Sequence, residues 1–185
     1  MRCLSIKSAG FTLPEMMIAL AIGGVLMLGA ARFLPLLQMN NLRMLMTFQL
    51  QEELQLMMAT LAKNVRRAGY CHGECQGKAL IASSNGQCLL LRWDENSNGK
   101  WENADSETSD YYGFRLRNGS LETQRGVDSC ESSGWEKMND PASVIISDFR
   151  VVRKTAQIQL RLSGYALGFP LQALTVERWV TGENL

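Results

Sequence analysis

The chain has 185 residues, of which 46% are hydrophobic and 20% charged, and its formal charge is +1. This length allows one or two ordinary domains, and the composition is that of a folded protein, which excludes disorder, collagen and coiled-coil arrays. The single histidine, His72, excludes most catalytic sites built on paired imidazoles, and the near-zero charge argues against a protein that coats nucleic acid.

The first ten residues predict a targeting leader, because they carry Arg2 and Lys7, contain no acid and end in Gly10. An apolar run follows from Phe11 to Leu37. Its uncharged stretch from 16 to 31 is about 24 Å long as a helix, and its apolar flanks extend it to a transmembrane span. The positive-inside rule then places the leader in the cytoplasm and the rest of the chain outside.

Glu15 lies at the start of this run, where a carboxylate at full bilayer depth costs roughly 2.5–3.5 kcal/mol. Two interpretations are open. Thr12-Leu13-Pro14-Glu15 matches the T-x-x-E capping box of a helix start. Glu15 is also suited to pair with a cation inside the membrane.

The segment Gly10-Phe11-Thr12-Leu13-Pro14-Glu15 closely resembles the class III signal of type IV prepilins and type II secretion pseudopilins. The resemblance implies that a membrane prepilin peptidase cleaves between Gly10 and Phe11 and methylates the new N-terminus at Phe11. It also implies that the Glu15 carboxylate pairs with the Phe11 ammonium of a neighbouring subunit during assembly. Pro14 departs from the pattern, which usually has an aliphatic residue at that position.

The implied function is that of a minor, PilW-like or pseudopilin J-like subunit that primes or caps a type IV pilus or a secretion pseudopilus. The implied partners are the prepilin peptidase, other minor pilins, the major pilin and an inner-membrane assembly platform. The stretch from Arg66 to Cys71 also resembles the helix end of PilW-like minor pilins. In this family Gly23, Gly24, Gly29 and Pro35 would let the helix bend when it leaves the bilayer, although membrane helices commonly tolerate such residues.

The helical period continues beyond the membrane segment and indicates an amphipathic helix. One face carries residues at steps of three and four: Leu50, Leu54, Met57, Leu61 and Val65. Gly69 fits the position after a helix end. The pattern therefore predicts a single helix from Leu13 to about Ala68, more than ~80 Å long.

The rest of the chain has β-branched runs and frequent turn residues, and it predicts an antiparallel sheet packed on the amphipathic half of the helix, an α+β fold. Asn118-Gly119 indicates a hairpin. The candidate strands are Cys88–Trp93, Tyr112–Arg117, Leu121–Arg125, Val144–Arg153, Ala156–Leu162 and Ala173–Val180. The predicted domains are the leader 1–10, the transmembrane and assembly helix 11–37, the amphipathic extension 38–68 and a periplasmic β-rich head 69–185.

Four cysteines outside the leader and the membrane segment predict up to two disulfides in an oxidising compartment: Cys71, Cys75, Cys88 and Cys130. Three connectivities are open, and the favoured one joins Cys71 to Cys75 and Cys88 to Cys130. Half a zinc site between Cys71 and Cys75, or a thiol nucleophile with His72 as base, is a weaker alternative. The fifth cysteine, Cys3, belongs to the leader.

The stretch from Asp94 to Gly99 matches D-x-[DN]-x-[DN]-G, the first half of a calcium loop, in which alternate side chains present oxygen ligands. The candidate calcium ligands are Asp94, Asn96, Asn98 and Asp105. Asp105 is shorter than the usual bidentate Glu and two Asn lower the charge, so a polar turn between strands is the favoured interpretation and calcium the alternative.

Four basic residues on adjacent predicted strands are interpreted as a solvated face, with a DNA-binding patch as the alternative: Arg150, Arg153, Lys154 and Arg161. Two other functions fit the apolar run. A secreted periplasmic protein would be cleaved after Gly29-Ala30-Ala31, and an anchored sensor or binding module would keep the whole run. No residue set indicates catalysis, so an enzyme is not expected.

Overall fold

The computed structural model describes residues 10–155 and 157–185. Its contacts divide the chain into two units, one that ends at Met44 and one from Leu45 to Leu185. A single helix, α1, belongs to both units, because it runs without interruption from Leu13 to Arg67. The predicted long helix is therefore confirmed, and its last residue lies one position before the predicted end.

Glycine defines the end of α1. Gly69 follows the last turn with a φ of +88°, a left-handed conformation that L side chains rarely adopt. A Cβ at this position would also run into the backbone carbonyl of Asn184, so a second, steric reason requires glycine here. Arg66 and Arg67 in the last turn suit the negative end of the helix dipole.

In the first unit the large apolar side chains of α1 are exposed. Pro35 lies inside this part of the helix, where it has no N–H to donate to the Ala31 carbonyl. In the second unit the apolar face of α1 is buried, as predicted from its period. The five stripe residues Leu50, Leu54, Met57, Leu61 and Val65 are each at most 4% exposed.

The second unit also contains two antiparallel sheets. The strands of the first sheet are Leu80–Ala82 (β1), Cys88–Arg92 (β2), Tyr111–Arg117 (β3), Ser120–Arg125 (β4) and Glu136–Lys137 (β5), hydrogen-bonded in chain order. The second sheet consists of Val144–Lys154 (β6), Gln157–Ala166 (β7) and Leu174–Thr181 (β8), also in chain order. The fold is α+β, as predicted.

The predicted hairpin is present between β3 and β4. Asn118 and Gly119 have φ values of +50° and +74°, which match the two left-handed residues that a tight hairpin turn requires. They close the register in which Arg117 pairs with Ser120. Of the predicted strand Ala156–Leu162, Ala156 lies outside the described residues, and the observed β7 continues to Ala166.

Two sheets replace the one that the sequence predicted. The β6 strand meets the first sheet through isolated backbone bonds, Ile146 N–H to the Gly119 carbonyl at 2.8 Å and Val151 N–H to the Gly86 carbonyl at 3.0 Å. Asn139 joins the sheets further, because its side chain accepts from Leu121 N–H at 2.9 Å and donates to the Val144 carbonyl at 2.8 Å. Isolated bonds of this kind leave the two ladders separate.

One core fills the space between α1 and both sheets. Its largest fully buried side chains are Phe149, Leu50, Leu54, Met58, Leu61, Leu89, Leu91, Leu121, Ile146, Ile158, Leu160 and Leu162. Ile158, Leu160 and Leu162 alternate along β7 with more exposed polar residues, which confirms the period-two pattern of that strand.

Candidate assembly site

The boundary between leader and helix is an exposed, non-helical stretch. Gly10 and Phe11 precede α1, and Phe11 is 85% exposed. An exposed segment outside regular structure is where a peptidase reaches the backbone most easily. The rest of the leader, residues 1–9 with Arg2, Cys3 and Lys7, lies outside the described residues.

Glu15 forms the acidic half of a capping box at the start of α1. Its Oε2 accepts hydrogen bonds from the Thr12 N–H at 2.9 Å and from the Thr12 hydroxyl at 2.8 Å. The Met16 N–H donates to the Thr12 carbonyl at 3.2 Å and closes the first turn. In the single chain, Thr12 and Glu15 therefore form the capping box that the T-x-x-E pattern predicts.

Capping does not exclude a second partner for Glu15. Both bonds go to one carboxylate oxygen, and the residue is exposed. Hydrogen bonds to a charged group are stronger than those between neutral groups, so Thr12 reduces the cost of holding this carboxylate in apolar surroundings. An ammonium group from another chain would add a full opposite charge.

Among the described residues, α1 is the one helix long and apolar enough to cross a membrane, and none of its apolar window is buried within the structure. Exposed large apolar side chains continue from Phe11 through Leu37. Soluble monomers rarely expose a continuous apolar surface of this kind, so the segment requires lipid or other protein around it.

Both disulfides lie in the second unit. Cys71 is bonded to Cys75 and Cys88 to Cys130, the pairing that the sequence favoured among three. Metal ligation and nucleophilic attack both need a thiolate. In this oxidised form the two sulfurs of Cys71 and Cys75 are therefore unavailable for the zinc and nucleophile alternatives.

A buried ion pair that the sequence did not reveal supports the loop of Cys130. Arg115 on β3 contacts Glu122 on β4, with 2.7 Å between Nε and Oε2. Its Nη1 also donates to the carbonyls of Cys130 at 2.6 Å and Ser132 at 3.2 Å. The guanidinium lies over the Trp135 ring, 4.4 Å from its centroid. One side chain thus ties the loop to the first sheet.

A buried carboxylate organises the predicted calcium loop. Asp94 is 1% exposed, and its oxygens accept backbone N–H groups of His72 at 3.1 Å, Asn98 at 3.0 Å and Gly99 at 2.8 Å. Burial on its own raises the pKa of Asp94, but these donors outweigh burial and hold the pKa below its ordinary value.

The other candidate calcium ligands have different surroundings. The Oδ1 atoms of Asn96 and Asn98 each accept the N–H two residues ahead, at 3.1 Å in both cases. Asp105 is exposed. Protein donors alone thus close the turn, and calcium ligation by Asp94, Asn96, Asn98 and Asp105 stays a prediction.

Within residues 10–155 and 157–185, one group of three Cys, His, Asp or Glu side chains converges closely enough to hold a metal ion, namely Cys71, Cys75 and Asp94. Two of its three ligand atoms are the bonded sulfurs. Because the third, on Asp94, already accepts backbone N–H groups, this group is better described as the packing of two loops than as a metal centre.

Two carboxyl groups share a buried position near the same loop. Asp110 is fully buried and accepts the N–H of Glu95 at 3.0 Å and of Glu102 at 3.1 Å. Burial raises the pKa of Asp110 to about 6, and the adjacent Glu102 carboxyl adds to the rise. The Asp110 carboxyl and Asn98 lower the pKa of Glu102 in turn. No sequence pattern indicated this pair, because burial of Asp110 depends on the loop conformation.

The four basic residues Arg150, Arg153, Lys154 and Arg161 lie on adjacent strands, as predicted. Arg150 is the cross-strand partner of Arg161. Acidic groups separate them, because Asp148 lies 3.7 Å from Arg150 and 3.8 Å from Arg161, and Glu177 lies 3.6 Å from Arg161. Because this face carries both positive and negative charges, it is better interpreted as an ordinary solvent-exposed surface than as a patch that binds the phosphates of DNA.

Comparison with known proteins gives two family matches. The family described as "Prokaryotic N-terminal methylation motif" matches residues 6–31, and the family described as "Prepilin peptidase-dependent protein B" matches residues 43–182. A protein of Escherichia coli (strain K12) named "Prepilin peptidase-dependent protein B" is 41% identical over 187 residues, which cover 98% of this chain and 100% of that protein. No solved structure matches the chain.

Proposed function

This chain belongs to the prepilin peptidase-dependent protein B family, and on that premise we propose that it is a minor pilin-like subunit that primes or caps assembly of a type IV pilus or a type II secretion pseudopilus. The role is structural rather than catalytic. The observation that carries it is the Thr12–Glu15 geometry at the start of an exposed apolar helix, inside residues 6–31 that match the methylation motif.

The chain would work in four parts. Residues 1–10 are removed by the prepilin peptidase, which leaves a methylated Phe11 at the N-terminus. Residues 11–37 cross the inner membrane and later contact other subunits, and residues 38–68 connect them to the periplasmic head of residues 69–185. The exposed helix and the separately packed core of the second unit support this division.

Glu15 would select the position of the subunit during assembly. An unpaired carboxylate and an unpaired ammonium are each costly in lipid, and pairing relieves both costs at once. The ammonium would be that of Phe11 on a neighbouring minor or major pilin, held at the inner-membrane assembly platform. Thr12 keeps the carboxylate hydrogen-bonded until that partner arrives.

The decisive experiment replaces Glu15→Gln, because Gln keeps a carbonyl oxygen for the capping bond but carries no charge. If charge pairing drives assembly, cross-linking of the subunit to its partner pilins in membranes should fall at least about tenfold, since an unpaired buried charge costs roughly 3–5 kcal/mol. Glu52→Gln, an exposed carboxylate later on the same helix, is the matched control and should assemble normally.

Two results would contradict the pairing. Undiminished assembly of Glu15→Gln would show that capping is the whole role of Glu15. An equal loss for Glu15→Gln and Glu52→Gln would show a general effect of removing charge.

N-terminal sequencing of the protein from cell membranes separates the proposed function from its rivals. Methylated Phe11 supports the prepilin-like subunit. An N-terminus at Arg32 would indicate a secreted protein cleaved after Ala31, and an N-terminus at Met1 an uncleaved anchor. Residues 29–31 lie inside the uninterrupted helix α1, which disfavours them as a cleavage site.

A further inference from the structure

We propose that the Cys71–Cys75 disulfide is a redox-sensitive latch that holds the loop from Asp94 to Trp101 against the end of α1. We call residues 71–75 the latch ring and residues 94–101 the held loop. The proposal is independent of the assembly function, because every contact that carries it lies within the second unit.

The latch ring contacts the held loop directly. The His72 N–H, inside the ring, donates to Asp94 Oδ2 at 3.1 Å. Gly73 packs backbone to backbone on Gly99, since a Cβ at Gly73 would lie 2.8 Å from both the Cα and the carbonyl oxygen of Gly99. Both contacts require residues 72 and 73 to keep their turn, and the disulfide four residues apart fixes that turn.

Tyr70, the residue before the ring, supplies the remaining anchors. Its carbonyl accepts the Asp94 N–H at 2.9 Å and the Trp101 indole N–H at 3.1 Å. Its hydroxyl is hydrogen-bonded to Ser97 Oγ at 3.2 Å. The held loop is therefore bound at its start, middle and end to a single short segment of chain.

Neither segment has regular structure of its own. Residues 71–79 and 94–110 contain no helix or strand, so no ladder of backbone hydrogen bonds holds them. Segments of this kind open locally at a lower free energy than core strands. Removing the one covalent constraint should therefore loosen the held loop around Asn98 and Gly99. The start of the loop stays in place, because Asp110 accepts the Glu95 N–H at 3.0 Å, and the two sheets stay folded.

The two disulfides differ in their accessibility to a thiol. Cys71 and Cys75 line a cavity of about 860 Å³ together with Glu74, Lys78 and Arg153, which an added thiol can enter. Cys88 and Cys130 line a smaller cavity of about 300 Å³, and Cys88 is 5% exposed and fixed in the β2–β3 ladder. The Cys88–Cys130 bond should therefore be reduced more slowly.

The switching step needs a dithiol reductant. Its thiolate attacks one sulfur of the bond and forms a mixed disulfide, and its second thiol then displaces the protein sulfur. Two electrons and two protons pass to the protein, Cys71 and Cys75 become thiols, and the reductant becomes a cyclic disulfide. A disulfide oxidant reverses the same step.

The test uses the full chain in detergent micelles and measures backbone hydrogen exchange before and after limited treatment with dithiothreitol. Reduction of Cys71–Cys75 alone, checked by mass spectrometry of alkylated peptides, should speed exchange at Asn98 and Gly99 at least about tenfold, because their N–H groups donate to the carboxylate that the ring positions. Exchange in the β6–β7 ladder should not change.

Matched variants separate the latch from general loss of stability. Cys71→Ser with Cys75→Ser should give the fast exchange without reductant, and Cys88→Ser with Cys130→Ser should leave the held loop as slow as in the unmodified chain. Unchanged exchange at Asn98 and Gly99 after reduction overturns the proposal. So does faster reduction of Cys88–Cys130, or equal acceleration by both variants. If the first variant does not fold, reduction of the unmodified chain still decides.

Discussion

At the scale of single residues, backbone N–H donors hold two buried acids of the head, Asp94 and Asp110, and Asp110 titrates in an unusual range. Asp110 is fully buried, and its pKa is raised to about 6 by burial and by Glu102. A carboxyl group whose pKa is higher in the folded than in the unfolded state binds its proton more tightly in the folded state. Its stabilising contribution is complete below the unfolded pKa and is lost as pH rises through about 6.

Glu102→Gln should reduce this pH dependence, because it removes the charge that disfavours ionisation of Asp110. Between pH 5 and pH 7 the free energy of unfolding should decline by roughly 0.5 kcal/mol less in the variant than in the unmodified chain, because burial, the larger cause of the raised pKa, remains. Urea unfolding at several pH values measures the difference. Glu107→Gln, an exposed acid in the same loop, is the control. Parallel pH profiles for Glu102→Gln and the unmodified chain would contradict the assignment.

Residues differ in how far the sequence could predict them. Gly10, Phe11 and Glu15 belong to a short linear motif, so their roles could be predicted without a fold, and they stay predictions. The cysteines could be counted but not paired with certainty. Arg115 and Asp110 gave no signal, although Glu122 and Glu102 lie only seven and eight residues away, because the pattern of charges does not show which side chains the fold buries.

At the scale of elements, periodicity predicted whatever was long and regular. The buried stripe of α1 repeats over several turns, and six of the eight strands have predicted ends within a few residues of the observed ones. The missed strands β1 and β5 have three and two residues, too few to show a period. The division into two sheets was missed because it depends on isolated bonds and on Asn139 rather than on any repeat.

The buried stripe of α1 provides a matched pair of substitutions. Leu61 is fully buried and Leu56 is 62% exposed on the same helix. Leu61→Ala should lower the free energy of unfolding by roughly 2–5 kcal/mol, because it leaves a cavity in the core, whereas Leu56→Ala should change it by less than about 0.5 kcal/mol. Thermal or urea unfolding checks both. Similar losses at the two positions would mean that the exposed face of α1 also packs against other parts of the chain.

At the scale of the whole molecule, the two units differ in whether their apolar side chains are exposed or buried. The unit up to Met44 exposes its apolar side chains, and the unit from Leu45 onward buries a core of its own. This contrast could be predicted from hydropathy and period together. Partner subunits could not, because contacts between chains leave no pattern in one sequence that distinguishes one filament from another.

The orientation of the chain across the membrane is testable in spheroplasts, where the inner membrane is closed and its outer face is open to added protease. Because Arg2 and Lys7 favour the cytoplasmic side, proteinase K should digest the head while a cytoplasmic marker survives. A carbonate wash should not release the undigested protein. A head that resists protease until detergent is added would reverse the orientation.

If the chain joins a filament as proposed, the exposed apolar side chains of α1 also limit the route by which it can do so. The large apolar residues between Phe11 and Leu37 are 41% to 85% exposed. At ~1.5–3 kcal/mol for each, wetting them all would cost roughly 20–45 kcal/mol, while the tightest non-covalent complexes reach only about 18–21 kcal/mol. On the proposed function, a subunit would therefore not pass through aqueous solution between the bilayer and the filament. Each turn of the helix would exchange contacts with lipid directly for contacts with neighbouring subunits.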